Sequence, residues 1–307
     1  MKNNNITTLD MYLDFCKNQK RLNPNTLRAY RIDILQFSSF IAPKSFPETD
    51  KLALENYIKT LHNRYSPRSS KRKIASIKAF FHYLEYCNVI TTNPWAGIYS
   101  KFREPKTLPH TISQNNIHRL LAIIYSEIDN GKTKYRQRNA IRDAAVCELL
   151  FATGLRIFEL CSLLSDDVDL TNDSVFIRGK GAKERILHIG NTQVHDTLVS
   201  YKSEFSKEIS ECGRFFVNQH GNPFLDQSVR RMINYYTKLA GLDQHITPHM
   251  WRHTFATLLL EADVDIRYIQ EMLGHSSIRT TEIYTHVSLA KQREILCTKH
   301  PRNSFFI

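Results

Sequence analysis

Five short segments of this 307-residue chain hold side chains that could do chemistry: Thr153-Gly154-Leu155-Arg156, Gly179-Lys180-Gly181, Pro248-His249-Met250-Trp251-Arg252-His253, Leu273-Gly274-His275 and Ile283-Tyr284-Thr285-His286. The third carries the plainest signal. Thr247 and Pro248 suit the cap and first position of a helix, and His249 and Arg252, three apart, then share a face near its start. A helix N-terminus with an arginine and an imidazole aimed the same way is a natural phosphate site. His249 and His253 have the spacing of a zincin helix, but Met250 stands where that motif needs glutamate, so no metal site is expected. The other segments, taken singly, stay ambiguous. Arg156, at a break between helices among apolar neighbours, must be paired or functional, and Glu159 three residues on offers a structural ion pair. Lys180 on its Gly-flanked tip reads first as a solvated turn lysine; the phosphate-loop pattern that Gly-Lys might suggest is absent. His275 follows a glycine suited to a helix C′ position and alone reads as a satisfied polar group, as Tyr284 alone reads as a packed aromatic.

The elements that must position these residues fall in two blocks. The first hundred residues read as helices: a short start over 8–15, a stronger one after Asn25 with Leu27, Ile34, Phe37 and Phe40 on its apolar face, and a third over about 52–62. A fourth begins after Ser66-Pro67, with Ile74, Ile77, Phe81 and Leu84 at steps of three and four. Arg68, Lys71 and Lys78 fall on another face of that helix, with the small Ala75. Between Asp50 and Glu85 the one acidic residue is Glu55, so this face reads as a phosphate contact rather than a mixed solvated surface. Pro105 and Pro109 mark a linker over 101–111. Beyond it, helices are expected over 113–125, 137–152 and 157–164. Strands at 175–177 and 186–189 flank the Gly-Lys-Gly tip, and helices resume from about Asp226. The domains are therefore 1–100, the linker 101–111, and 112–307 with a C-terminal tail.

Composition agrees. With 42% hydrophobic and 23% charged residues the chain is globular. No stretch nears 18 uninterrupted apolar residues; the best, 144–152, is broken by Glu148, so no membrane span is expected. The start Met1-Lys2-Asn3-Asn4-Asn5 lacks the apolar core of a signal peptide, and six scattered cysteines without a C-x-x-C pair suit a reducing cytoplasm. The net charge of +12 is unevenly spread: residues 1–106 hold 18 basic and 8 acidic side chains, residues 107–307 hold 24 and 22. An excess confined to the first third points to a polyanion as partner.

In this order the segments resemble the tyrosine recombinases of the lambda-integrase type, and most of all their Xer-like bacterial members. The resemblance rests on the ordered set Arg156, Lys180, His249-x-x-Arg252, His275, Tyr284. In the first block it rests on Asn25-Thr26-Leu27-Arg28-Ala29-Tyr30 and Lys73-Ile74-Ala75-Ser76-Ile77-Lys78-Ala79-Phe80-Phe81. Phe158 stands where a small residue is usual, and Met250-Trp251 is bulkier than the common pair. The resemblance implies a mainly α fold with a small β-sheet: a helical core-binding domain followed by a mixed α/β catalytic domain.

It also implies cleavage of a DNA strand by a tyrosine. Tyr284 is then the nucleophile, with a phenol whose ordinary pKa near ~10 calls for a base, for which His249 is the candidate. Arg156 and Arg252 clamp the non-bridging phosphate oxygens, Lys180 protonates the leaving 5′ oxygen, and His275 donates to the phosphate. No ATP, metal or other cofactor is implied, because a 3′-phosphotyrosyl link preserves the bond energy. The implied partners are double-stranded DNA, held in part by Arg68, Lys71 and Lys78, and three further copies in a synaptic tetramer that passes through a Holliday junction. A second recombinase or accessory protein is compatible with the same reading. Chromosome or plasmid resolution and mobile-element integration or excision stay open. A topoisomerase of the IB type, a non-catalytic DNA-binding regulator and a metal nuclease are the alternatives, the last lacking clustered acids. The apolar end Phe305-Phe306-Ile307 is expected to dock, on a neighbouring protomer by resemblance or on its own domain otherwise.

Overall fold

The computed structural model describes residues 2–100, 110–179, 184–274 and 289–304. The chain divides into two compact units, residues 1–107 and 108–307, each with its own core.

The first unit is four helices: α1 (Lys2–Asn18), α2 (Pro24–Ile41), α3 (Lys51–Arg64) and α4 (Pro67–Tyr86). The helix α1 is longer at both ends than its apolar pattern indicates. Asn23 caps α2 with Pro24 as its first residue, two positions earlier than expected. Ile34, Phe37 and Ile41 form the buried stripe of α2, while Phe40 lies at its edge against the Tyr57 ring. Ser66 caps α4 and Pro67 opens it, as the sequence indicates. Asp33, fully buried, ties α2 to α4: it accepts from Lys73 Nζ at 2.9 Å and Ser76 Oγ at 2.9 Å, and pairs with Arg72. A buried carboxylate with three donors fixes how α4 is rotated, and so which of its residues face outward.

The second unit is built around α6 (Lys134–Thr153), whose residues from Ala140 onward are almost all buried, the mark of a central helix. Packed on it are α5 (Gln114–Asn130), α8 (Thr192–Glu204) and α11 (Pro248–Glu261). The rest are α7 (Ile157–Ser162), α9 (Ser206–Cys212), α10 (Asp226–Leu239), α12 (Ile266–Leu273) and α13 (Leu289–Lys299). Strands β1 (Val168–Asp169), β2 (Ser174–Arg178) and β3 (Glu184–His188) form one antiparallel sheet in chain order, with Ile177 opposite Arg185.

Two expectations need correction. Helices resume at Thr192, not near Asp226, because α8 and α9 fill the interval; the stripe Val194, Leu198, Tyr201 includes Thr197, which hides its period. The helix after Arg156 stops at Ser162, where Leu163 turns extended and its carbonyl accepts from Phe215 N–H at 2.9 Å. Among the described residues no helix is long and apolar enough to cross a membrane.

Candidate active site

Three chain breaks meet where α6, α11 and α12 end or begin. The helix α6 ends on Gly154 in the left-handed region (φ +61°), and a side chain there would drive its Cβ to 2.5 Å from a Phe255 ring carbon. Glycine thus allows the turn that sets Arg156 at the N-cap of α7. The second break is the start of α11, with Thr247 as cap residue and Pro248 in the first turn, which presents exposed His249 and buried Arg252. The third is Gly274 (φ +62°) after α12, which leaves the last carbonyls of that helix without helical partners.

Those carbonyls, at the negative end of the helix dipole, collect guanidinium groups. Arg252 donates from Nη1 to Gly154 O at 2.8 Å and from Nη2 to Leu273 O. Arg156 donates from Nη1 to Leu273 O at 3.4 Å and to Glu159 Oε1 at 2.9 Å. The two arginines therefore share one acceptor and stand side by side. Arg156 is 38% exposed in its side chain while Arg252 is 5% exposed, so Arg156 fronts the solvent and Arg252 lies behind it. Burial above all, then the charge of Arg156, pulls Arg252 down to about 10, still cationic at neutral pH. Glu159 also accepts from Arg185, so this one carboxylate is bonded to two guanidiniums while Arg252 has carbonyl partners only. Burial pushes the Glu159 carboxyl up, but the hydrogen bonds from Arg185 and the Arg156 N–H, with both charges, leave it below its ordinary value. The excess of positive charge suits an anion.

His249 stands at its edge. Desolvation, then the charges of Arg230, His253, Arg252 and Arg156, hold its imidazole below the ordinary histidine value, which favours the neutral ring. Among the described residues no group of three His, Cys, Asp or Glu side chains is placed to hold a metal.

The structure thus brings together Arg156, His249 and Arg252. Lys180, His275 and Tyr284 lie outside the described residues; the chain places Lys180 between β2 and β3, and His275 directly after Gly274. In the first unit Arg68, Lys71 and Lys78 are exposed along α4, with Ala75 among them, opposite buried Ile74, Ile77, Phe81 and Leu84. Sequence reasoning missed Arg185 and Arg230. With the strand expected from Ile186, Arg185 reads as a tip residue, whereas β3 begins at Glu184 and turns Arg185 to the same face as buried Leu187. The C-terminal segment also holds a pair that its sequence does not announce. Residues 289–304 pack on their own unit: Arg302, fully buried, pairs with fully buried Glu148 of α6, and His300 reaches Phe151 O at 3.2 Å. Phe305, Phe306 and Ile307 lie outside the described residues.

Comparison with known proteins agrees with this geometry. Residues 110–291 match the phage integrase family, and residues 9–86 match the phage integrase N-terminal SAM-like domain. In fold the chain is similar to a XerH site-specific recombinase bound to difH substrate in a pre-cleavage complex (TM-score 0.67, 23% identity, 93% of this chain and 82% of that one). It is also similar to a lambda integrase tetramer bound to a Holliday junction (TM-score 0.67, 16% identity, 94% and 77%). The fold and site define a two-unit phage integrase-type protein. A tyrosine recombinase of Agathobacter rectalis is 55% identical over 303 residues, covering 99% of both chains, and the tyrosine recombinase XerD of Listeria innocua is 33% identical, covering 96% and 98%. This chain belongs to the tyrosine recombinases of the phage integrase family.

Proposed function

We propose that the chain is a site-specific recombinase that cuts and rejoins strands of double-stranded DNA through a 3′-phosphotyrosyl link and a Holliday junction, in the cytoplasm where that DNA lies. The observation that carries this reading is the pair of adjacent guanidiniums, Arg156 and Arg252, beside a neutral imidazole with no carboxylate to spare. A phosphodiester gains negative charge on its non-bridging oxygens as it is attacked, and fixed cations there lower the barrier without reorganising. Tyr284 Oη would attack phosphorus while its proton passes to His249. The P–O5′ bond breaks and Lys180 gives its proton to the leaving oxygen, with His275 donating to the phosphate. Attack by a 5′-hydroxyl of a partner duplex reverses the step. The bond energy is kept, so no nucleotide, metal or other cofactor is needed. Four copies, as in the lambda integrase complex, would exchange two pairs of strands; a second recombinase or an accessory protein would be a further partner.

A nicked duplex that loses its 5′-hydroxyl fragment on cleavage tests the reading. A recombinase accumulates a covalent adduct on it and also exchanges strands between two sites. A topoisomerase makes the adduct without exchange, and a regulator or metal nuclease makes none.

Two results bear on the roles. Lys180→Ala should be strongly slowed on an oxygen-linked substrate and restored when the 5′ leaving atom is sulfur, which departs without protonation; equal defects on both would remove Lys180 from the acid role. Neutralising Arg68, Lys71 and Lys78 together should weaken binding to all sequences and lower the salt slope by about 1 for each phosphate left without its cation. Unchanged salt dependence would mean that this face of α4 does not meet DNA.

A further inference from the structure

Arg185 sits at the centre of the cationic cluster yet points at no open space. Its side chain is 12% exposed. The guanidinium grips both oxygens of Glu159, Nη1 to Oε1 at 3.1 Å and Nη2 to Oε2 at 2.9 Å, and Nε donates to Met272 O at 2.8 Å. It also packs close against Gly274, where a Cβ would come to 3.0 Å from Nη1. Each nitrogen of the fork already donates once to the protein, three of its five N–H groups in all, and with so little of the side chain exposed Arg185 is first a partner of Glu159 rather than a third clamp on an anion.

Its effect is on Glu159. That carboxylate holds Arg156 twice, through its backbone N–H at 2.9 Å and through Nη1 at 2.9 Å. Left to Arg156 alone, the Glu159 charge would neutralise the very guanidinium that fronts the solvent. Shared with a bidentate partner, it orients Arg156 while leaving the cluster net positive.

We propose that Arg185 is a positioning residue for strand cleavage: anchored on the end of α12, it holds Glu159 so that Arg156 is both aimed and left cationic toward the scissile phosphate. This rests on the recombinase reading above and adds a residue outside the set of six.

The test is a double-mutant cycle with the full-length protein. It uses single-turnover cleavage of a nicked suicide duplex built on the site that the protein selects from a random-sequence pool. Arg185→Gln should bind that duplex within about 3-fold of the parent and cleave roughly 10–100-fold more slowly, the scale of a misplaced catalytic group. Arg185→Lys keeps the charge but loses the fork, and should fall in the same range; it carries the cycle if the glutamine variant fails to fold. In an Arg156→Ala background either substitution should cost little more, because the residue being positioned is gone. Cleavage by Arg185→Lys at the parental rate overturns the proposal, as do defects that multiply fully with Arg156→Ala, the mark of a merely structural residue. A parent that forms no Tyr284-linked adduct sinks the recombinase reading and this proposal with it, whereas a parent with the adduct and a multiplicative cycle sinks only the role of Arg185.

Discussion

Arg252→Ala is expected to slow strand cleavage by roughly 10²–10³-fold, the cost of one preorganised donor to a developing oxyanion, with far less effect on DNA affinity. The expectation follows from where the side chain sits. Arg252 is buried behind Arg156, touches two carbonyls and no carboxylate, and so brings its full charge to the site. Removing it also takes the Arg252 donor from Gly154 O and leaves Leu273 O with only the longer bond from Arg156, at about 1–3 kcal/mol of stability, so melting must be followed alongside cleavage. Arg252→Lys separates the two effects. It keeps a charge, but an ammonium on a flexible stem cannot span both carbonyls, and cleavage should remain slow. Arg156→Ala, at the solvent front, should show the rate loss with less destabilisation. An Arg252→Ala chain that folds and cleaves like the parent would remove Arg252 from the clamp.

The second large effect lies away from the chemistry. Arg302→Ala is expected to destabilise the second unit by about 3–5 kcal/mol, because it strands the Glu148 carboxylate inside the central helix with one neutral partner, Tyr125 Oη at 2.9 Å. The pair Arg302→Met with Glu148→Leu should recover most of the loss, since an apolar pair of similar size needs no desolvated charge. His300 makes the same clasp sensitive to acid. Its Nδ1 accepts from Arg302 N–H at 2.9 Å and its Nε2–H faces Phe151 O, so a second ring proton has no place to go. Burial pushes His300 down to about 4. The unfolded chain therefore binds the proton first, and this contribution is whole above about pH 6.5 and lost as pH falls toward 4. Thermal melts of the parent and Arg302→Ala across that window check both statements; no change on losing Arg302 would mean that the clasp contributes nothing. A deletion of 298–307 would take away Arg302 and break this pair. Replacing Phe305, Phe306 and Ile307 with serine leaves the pair in place and so tests docking of the apolar end on a neighbouring protomer by itself.

What could be read from the sequence was local. Ser66-Pro67 and the steps of α4 gave its start and buried face, because capping and period are written in neighbouring residues. The charge excess of the first third and the Arg156, His249, Arg252 set were equally visible. Pairs made across long separations were not. Asp33 looks like any surface acid until Arg72 and Lys73, some forty positions later, close on it. Glu148 announced itself by interrupting an apolar run, but nothing nearby names Arg302, 154 positions away, as its partner. Arg185 was hidden by a strand start placed two residues late, which left it in the tip instead of in the ladder opposite Ile177. The helix α8 was hidden by one threonine in its stripe.

In the proposed reaction a tyrosine of this chain becomes joined to DNA, and that bond can be located chemically. The protein is trapped on the nicked suicide duplex, the adduct is digested with nuclease and protease, and the modified peptide is identified by mass spectrometry. A phosphodeoxynucleoside is expected on Tyr284, and no covalent band for Tyr284→Phe despite undiminished binding. A phosphate carried by any other residue, or an adduct that survives Tyr284→Phe, would contradict it.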